Sequence, residues 1–186
     1  MDRFSRPRWR WVVGVVMVGF VFLGATKAYS IEKWVKQAKQ GNPQAQYLLG
    51  AAYFLGVGVP LDYKKAVYWY RKAAEQGHAG AQSSLGDRYY FGEGIRRDYK
   101  KAVYWYRKAA EQGETHAQLQ LGLCYLFGHG VPKNYVQAYK WLSLAAAQGN
   151  ELAQTLVSDL EKLMTPSQIA KAQEEANKWW ERHNKK

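Results

Sequence analysis

The sequence predicts an all-α fold of stacked helical hairpins, and three observations lead to that prediction. A glycine recurs every 36 residues, at Gly41, Gly77, Gly113 and Gly149. Most positions between these glycines repeat in step with them. No segment shows the alternation of apolar and polar residues that is typical of a strand. A fixed period of this length indicates supersecondary units that bury their apolar faces only against one another.

Each period contains two predicted helices. The first begins after the period glycine and runs to about Phe54 in the first unit. A Gly-x-Gly segment ends it, because glycine adopts the positive φ that helix exits require. Asp62 stands at the N-cap position of the second helix, which ends at Gln76-Gly77. The later units place Asp98 and Asn134 at the same N-cap position.

Helical periodicity separates the predicted core from the surface. At 100° per residue, the repeated residues of the first helix share an arc of about 140°. In the first unit these residues are Ala45, Gln46, Leu49, Gly50 and Tyr53. On the second helix, a repeated tryptophan shares one side with repeated alanines, and we interpret it as core at Trp69, Trp105 and Trp141.

The pattern Ala-Gln-x-x-Leu-Gly-x-x-Tyr-x-x-Gly-x-Gly, followed by Asp-Tyr-x-x-Ala-x-x-Trp-Tyr-x-x-Ala-Ala-x-Gln-Gly, resembles the Sel1-like repeat, a relative of the tetratricopeptide repeat. Three full copies match between Gly41 and Gln148, and a fourth begins at Gly149. The resemblance implies a right-handed α-solenoid that works as an adaptor or scaffold. It does not identify a partner.

The first thirty residues follow a different pattern. A basic head precedes an apolar run, Trp11 to Ala25, that as a helix spans only ~22 Å, short of the ~30 Å hydrocarbon core. Small residues follow it. This pattern is typical of a signal peptide and predicts export to the bacterial periplasm. An uncleaved inner-membrane anchor that faces the periplasm is the alternative, which Lys27 keeps open.

The predicted organisation is a signal peptide at 1–30, an N-terminal capping helix at 31–40, three repeats at 41–76, 77–112 and 113–148, and a degenerate fourth repeat with a C-terminal capping helix at 149–186. Thr165-x-x-Gln168 has the form of a capping box, with Pro166 at the first helical position. We expect a monomer.

The net charge indicates which classes of partner the protein can bind, and the cysteine content excludes an internal disulfide. Removal of residues 1–30 leaves 22 basic and 14 acidic residues, so the net charge falls from +12 to +8. A basic exported protein meets anionic polymers, lipid head groups or acidic proteins more readily than nucleic acid. The single cysteine, Cys124, excludes an internal disulfide, and we interpret it as a small half-buried filler.

We expect recognition at first-helix positions that vary between repeats, because these would line the concave groove of a tetratricopeptide-like stack. A protein or peptide is the expected ligand. The predicted groove residues are Gln44, Tyr47, Leu48, Ser83, Ser84, Asp87, His116, Leu119, Gln120 and Leu123. We interpret Leu55, Phe91 and Phe127 as inter-repeat core, with groove lining as the alternative.

The opposite side of the second helices carries a repeated set of cations, which we name the basic face. Its members are Lys64, Lys65, Arg71, Lys72, Lys100, Lys101, Arg107 and Lys108. One interpretation is docking onto an anionic envelope polymer or lipid. The other is an ordinary solvated helix surface.

Catalytic patterns are weak. The histidines His78, His116, His129 and His183 have no spacing that pairs two on one helix face, so we predict no metal and no cofactor. Cysteine-rich relatives have been proposed to bind or hydrolyse β-lactams, but this chain lacks their paired cysteines. We therefore predict a non-enzymatic periplasmic adaptor in envelope assembly, virulence or effector immunity, with binding of an anionic envelope polymer as the alternative.

Overall fold

The computed structural model describes residues 31–184, and this part of the chain contains nine α-helices and no strand. The helices are α1 (Ile31–Lys39), α2 (Pro43–Leu55), α3 (Tyr63–Glu75), α4 (Ala79–Phe91), α5 (Tyr99–Ala110), α6 (Thr115–Phe127), α7 (Tyr135–Ala147), α8 (Glu151–Glu161) and α9 (Pro166–Asn184).

These helices stack in the order of the chain. The hairpins α2/α3, α4/α5 and α6/α7 are the most extensively packed pairs, and each hairpin packs on the next through α3 with α4 and α5 with α6. At the ends, α1 covers α2, while α9 returns to pack on α7. A continuous core runs from Ala66 to Trp179. The predicted all-α solenoid is confirmed.

The predicted helix boundaries have the expected backbone geometry. Asp62, Asp98 and Asn134 are N-caps, and their side chains accept hydrogen bonds from Lys65, Lys101 and Gln137 backbone N–H groups at 2.9–3.0 Å. The first glycine of each Gly-x-Gly pair is a left-handed C-cap, with φ of 69°, 75° and 78° at the three successive sites. Glycine is required there because other residues rarely adopt this conformation.

The aromatic core differs from the prediction. Trp141 is 1% exposed, as expected, but Trp69 and Trp105 are only half-buried. The buried rings are those of Tyr70 and Tyr106. Both lie against the glycine of the Leu-Gly pair: a Cβ on Gly50 would come within 2.7 Å of the Tyr70 ring, and one on Gly86 within 2.6 Å of Tyr106. The small residue makes room for an aromatic side chain.

A buried glutamine ladder joins successive repeats. In the second repeat, Gln82 Nε2 donates to the Ala74 carbonyl at 3.1 Å, at the end of the preceding hairpin. Its Oε1 accepts from Gln112 Nε2 at 2.7 Å. Gln46 and Gln118 make the equivalent bonds in their repeats. Buried amides need such partners, so each repeated glutamine fixes how one hairpin sits on the next.

The C-terminal cap closes the stack. Thr165 and Gln168 exchange the two hydrogen bonds of the predicted capping box, at 2.9 and 3.3 Å. Further along α9, the Trp179 indole is 2% exposed and donates to Glu111 at 3.0 Å. Because α9 covers α7, Trp141 is buried more completely than its equivalents in the earlier repeats.

Candidate partner-binding groove

The predicted groove residues lie on α2, α4 and α6, the first helices of the three repeats. Helix α4 packs on α6 directly as well as through α5, so the first helices are neighbours across repeats. This arrangement lets side chains from different repeats meet on one surface. The surface has an aromatic end, a polar middle and a row of exposed apolar side chains.

The aromatic end joins the first repeat to the second. Tyr47 stacks on His78, with ring centroids 4.7 Å apart and planes 25° apart. His78 Nδ1 accepts the Ala81 backbone N–H at 3.1 Å, which makes His78 the N-cap of α4. Its Nε2 therefore carries the proton and donates to Gln44 Oε1 at 2.8 Å. Burial lowers the pKa of His78, so this end is uncharged at neutral pH.

The polar middle is centred on Asp87. Its carboxylate accepts from the Tyr106 hydroxyl at 2.8 Å and lies 3.2 Å from His116 Nε2. Burial opposes the charged form of His116, but the hydrogen bond and negative charge of Asp87 outweigh it and raise the pKa of His116. The Tyr106 pKa is also raised, first by burial and then by Asp87, so its hydroxyl remains a donor.

Eight of the ten predicted groove residues are accessible and two are not. Ser83 and Leu119 are 3% and 7% exposed, which removes them from any contact surface. Gln44 and His116 are exposed, and the half-buried remainder comprises Tyr47, Leu48, Ser84, Asp87, Gln120 and Leu123. The accessible set keeps residues from all three first helices.

The prediction that Leu55, Phe91 and Phe127 form inter-repeat core is wrong. Their side chains are 38%, 58% and 60% exposed. Each is the last residue of a first helix, directly before the left-handed glycine. Because the chain turns away there, no following helical turn covers the side chain. These residues form an accessible apolar row at the C-terminal ends of the first helices.

One contact near this row was not anticipated from the sequence. The Tyr90 hydroxyl lies 2.7 Å from His129 Nδ1, and the His129 ring stacks on Tyr99 at 5.0 Å. His129 occupies the variable position of Gly-x-Gly, where the earlier repeats have Val57 and Glu93. The difference between repeats at this position was the signal in the sequence that could have identified the His129 contact.

The basic face is solvent-exposed except at Arg71, which is half-buried. Several of its cations have local partners. Arg71 Nη2 donates to the Tyr89 hydroxyl at 3.2 Å, and Arg107 makes the equivalent bond to Tyr125. Lys72 and Lys108 lie over the rings of the exposed residues Tyr68 and Tyr104. The face thus combines charge with aromatic surface on the second helices.

Within residues 31–184, no group of three or more His, Cys, Asp or Glu side chains is arranged to hold a metal ion. Cys124 is 1% exposed, more deeply buried than predicted, and burial raises the pKa of its thiol to about 12. Of the nine described helices, none is long and apolar enough to cross a membrane. The signal-peptide prediction concerns residues 1–30, which lie outside the described part.

Comparison with known proteins gives a consistent match. The family model for the Sel1 repeat matches three successive segments, 43–78, 79–114 and 115–150. These segments begin two residues later than the predicted division at the period glycines. No functionally curated protein matches the chain.

Solved structures similar to it include the following three. A Sel1 repeat protein from Oxalobacter formigenes is 38% identical, with 69% of this chain and 97% of that chain covered and a TM-score of 0.64. A protective antigen of uropathogenic Escherichia coli strains, with an SLR fold, is 31% identical with a TM-score of 0.63; the match covers 91% of this chain and 44% of that one. Cysteine rich protein B of Helicobacter pylori is 25% identical, with coverage of 72% and 99% and a TM-score of 0.57.

Proposed function

The chain belongs to the Sel1 repeat family, whose members generally serve as scaffolds for protein–protein interaction, and we propose that it is a non-enzymatic adaptor that holds a protein or peptide in its groove. The proposal places the adaptor in the bacterial periplasm, on the basis of the basic head and short apolar run in residues 1–30. Envelope assembly, virulence and effector immunity are the processes that such an adaptor would serve.

One observation carries the proposal. First-helix residues that repeat in all three units, such as the ladder glutamines, are buried in packing, whereas eight of the ten predicted groove residues, at positions that differ between repeats, remain accessible. The groove therefore offers three chemically distinct zones on one rigid scaffold. Tyr47 and His78 give a neutral aromatic end, Asp87 and His116 an ionic middle, and Leu123 an apolar end.

These zones suit an extended peptide or a helix with matched side chains. Aromatic residues supply large contact areas at little cost in conformational entropy. The Asp87–His116 pair supplies a directional polar contact that a partner can complement. The exposed row at Leu55, Phe91 and Phe127 adds apolar surface at the C-terminal ends of the first helices.

Affinity capture from a periplasmic extract tests the proposal. The bait is compared with a groove variant, Tyr47→Ala/Asp87→Asn/Leu123→Ala, in which Asn keeps a hydrogen-bond acceptor for Tyr106. A matched control, Tyr68→Ala/Tyr104→Ala, removes exposed rings from the second helices. We expect partners to be lost with the groove variant and retained with the control, while the circular dichroism spectra show that both variants remain folded. Equal recovery with all baits refutes the assignment.

The alternative function is binding of an anionic envelope polymer by the basic face, and the exposed cations with interleaved Tyr68 and Tyr104 are the observation that favours it. Such binding weakens steeply as salt rises, because exposed charges are screened within ~8–10 Å. Substitution of Lys64, Lys65, Lys100 and Lys101 by Gln should then abolish cosedimentation with envelope fractions at low salt. Unchanged cosedimentation removes the alternative.

A further inference from the structure

An open cleft of about 750 Å³ lies beside the second repeat, away from the groove. Its walls are Arg71 of α3, Tyr89 of α4, residues 95–101 at the start of α5 and the turn before it, and Gly130 of the turn between α6 and α7. The charged side chains that line it are Arg71, Arg96, Arg97, Asp98, Lys100 and Lys101. Five cations thus face one carboxylate, which leaves a net charge of +4 on the lining.

The single carboxylate is already committed to the fold. Asp98 Oδ1 accepts from the Lys101 backbone N–H at 3.0 Å, and Oδ2 lies 3.5 Å from Lys101 Nζ. The backbone hydrogen bond is the main cause that lowers the pKa of Asp98, so the carboxylate stays ionised in its capping role. It does not neutralise the remaining cations. Mutual repulsion between these cations raises the electrostatic free energy of the empty cleft, and a bound anion relieves that repulsion.

The other repeats show that the fold does not require these charges. The equivalent positions around the first repeat are Val35, Pro60, Leu61, Lys64 and Lys65. Around the third repeat they are Arg107, Pro132, Lys133, Val136 and Gln137. Each set has two cations, whereas the second repeat has five. The N-cap residue recurs in the other repeats, whereas the full cluster of five cations occurs only at the second repeat.

The turn keeps the same backbone path despite the change in side chains. A Cβ on Gly56 would meet Leu61 Cβ at 3.3 Å, and a Cβ on Gly92 would meet Arg97 Cβ at 3.2 Å. Leu61 and Arg97 therefore hold the same place in their repeats. The arginine pair Arg96–Arg97 is a local addition to a scaffold that accepts Pro-Leu equally well.

Several of the cations are held in position by aromatic rings. The Tyr89 hydroxyl accepts from Arg71 Nη2 at 3.2 Å. The Arg97 guanidinium lies 5.3 Å from the Tyr99 ring centroid, and Lys101 Nζ lies 5.6 Å from that of Tyr89. Ordered guanidinium groups bind the oxygens of phosphates in paired, directional hydrogen bonds. The cleft is preorganised for an anion with several such oxygens.

We propose that this cleft binds a diphosphate group. A diphosphate carries about two to three negative charges at neutral pH, opposite in sign to the lining, and its oxygens suit the arginine pair. The group is either free in solution or the head of a polyprenyl diphosphate in a membrane. The site shares Arg71, Lys100 and Lys101 with the basic face, but Arg96 and Arg97 lie outside that face and define the cleft.

Calorimetric titration of the full-length chain with inorganic pyrophosphate at low salt tests the site. The variant Arg96→Pro/Arg97→Leu reproduces the turn of the first repeat and should weaken binding about tenfold or more, because two charge-assisted contacts are lost. The matched control Lys64→Gln/Lys65→Gln removes the same charge beside the first repeat and should change affinity less than about twofold. If the first variant loses thermal stability, Arg96→Gln/Arg97→Gln replaces it.

Binding to phosphatidylcholine vesicles doped with a polyprenyl diphosphate distinguishes the two sources. Vesicle binding that pyrophosphate displaces supports a membrane source, and pyrophosphate binding without vesicle binding supports a free one. Absence of pyrophosphate binding, or equal loss in both charge variants, overturns the proposal. The groove variant should bind pyrophosphate like the unmodified chain, so failure of the groove assignment is separable from failure of this site.

Discussion

Helices α3 and α5 have the same sequence, since the segment from Asp62 to Gly77 recurs without change from Asp98 to Gly113, yet their surroundings differ. In both, the first tyrosine after the tryptophan is buried against a Leu-Gly glycine. Around Tyr70 the neighbours are the Tyr47 ring at 5.9 Å, the Ser84 hydroxyl and the Arg88 guanidinium. Around Tyr106 they are ionic, with its hydroxyl on Asp87 and His116 beside that carboxylate.

The difference arises from the first helices alone. The positions equivalent to Asp87 and His116 one repeat earlier are Ala51 and Gly80, which carry no polar side chain. In an identical second helix, the buried tyrosine hydroxyl therefore meets a serine in one repeat and a carboxylate in the next. The second helices therefore provide the same packing surface in both repeats, while the side chains of the first helices make the two repeats chemically different.

The largest expected effect in this comparison comes from filling the space beside the buried tyrosine. Gly86→Leu should lower the free energy of unfolding by about 3 kcal/mol, since a Cβ there already approaches the Tyr106 ring to 2.6 Å. Gly50→Leu should cost less, because no carboxylate anchors the Tyr70 ring. Urea unfolding of the two variants measures the difference. A greater loss for Gly50→Leu would show that anchoring by Asp87 is unimportant.

A smaller effect should follow removal of the tyrosine hydroxyls. Tyr106→Phe removes the hydroxyl that donates to Asp87 at 2.8 Å, and loss of a hydrogen bond to a charged group costs about 2 kcal/mol. Tyr70→Phe should cost only about 1 kcal/mol, because its hydroxyl bonds the neutral Ser84 hydroxyl rather than a carboxylate. The same unfolding experiment compares them. Equal losses would contradict the ionic setting described for Tyr106.

The smallest effect is a pH dependence. The folded-state pKa of His116 lies above its unfolded value of about 6.5, so its contribution is present below that pH and is lost as pH rises through the folded pKa. Because the side chain is 45% exposed, solvent limits the contribution to below about 1 kcal/mol. Asp87→Asn should remove this contribution.

His78 provides the internal control for that experiment. Its pKa is lowered by burial, so protonation at low pH destabilises the fold and breaks the N-cap bond to Ala81. Resolved histidine resonances in an NMR titration should therefore show His116 titrating above about 6.5 and His78 below it. Coincident titration of the two would contradict the described electrostatics.

Much of this architecture was predictable from the period, and the exceptions have physical reasons. Periodicity located the hairpins and their N-caps, and the Thr-x-x-Gln pattern located the capping box at Thr165. The period could not show which of Trp69 and Tyr70 is buried. Both residues repeat, and adjacent residues of a helix point only 100° apart. The burial of Trp141 depends on α9, which returns from a different part of the chain.

The groove was less predictable than the frame. Tyr47 and His78, or Asp87 and His116, occupy unlike positions in successive repeats, so no repeat-to-repeat comparison pairs them. Their contacts depend on how one hairpin sits on the next, which the glutamine ladder fixes. Ser83 and Leu119 were placed on the surface by angle alone, and this inter-repeat packing buries them.

Site-specific photo-cross-linking in intact cells tests whether a protein partner binds the groove. A photoreactive amino acid is placed at position 47 or 123 in the groove, and at position 68 or 104 on the second helices. We expect adducts to one defined protein from the two groove positions and none from the other two. Adducts from positions 68 and 104 alone would contradict it.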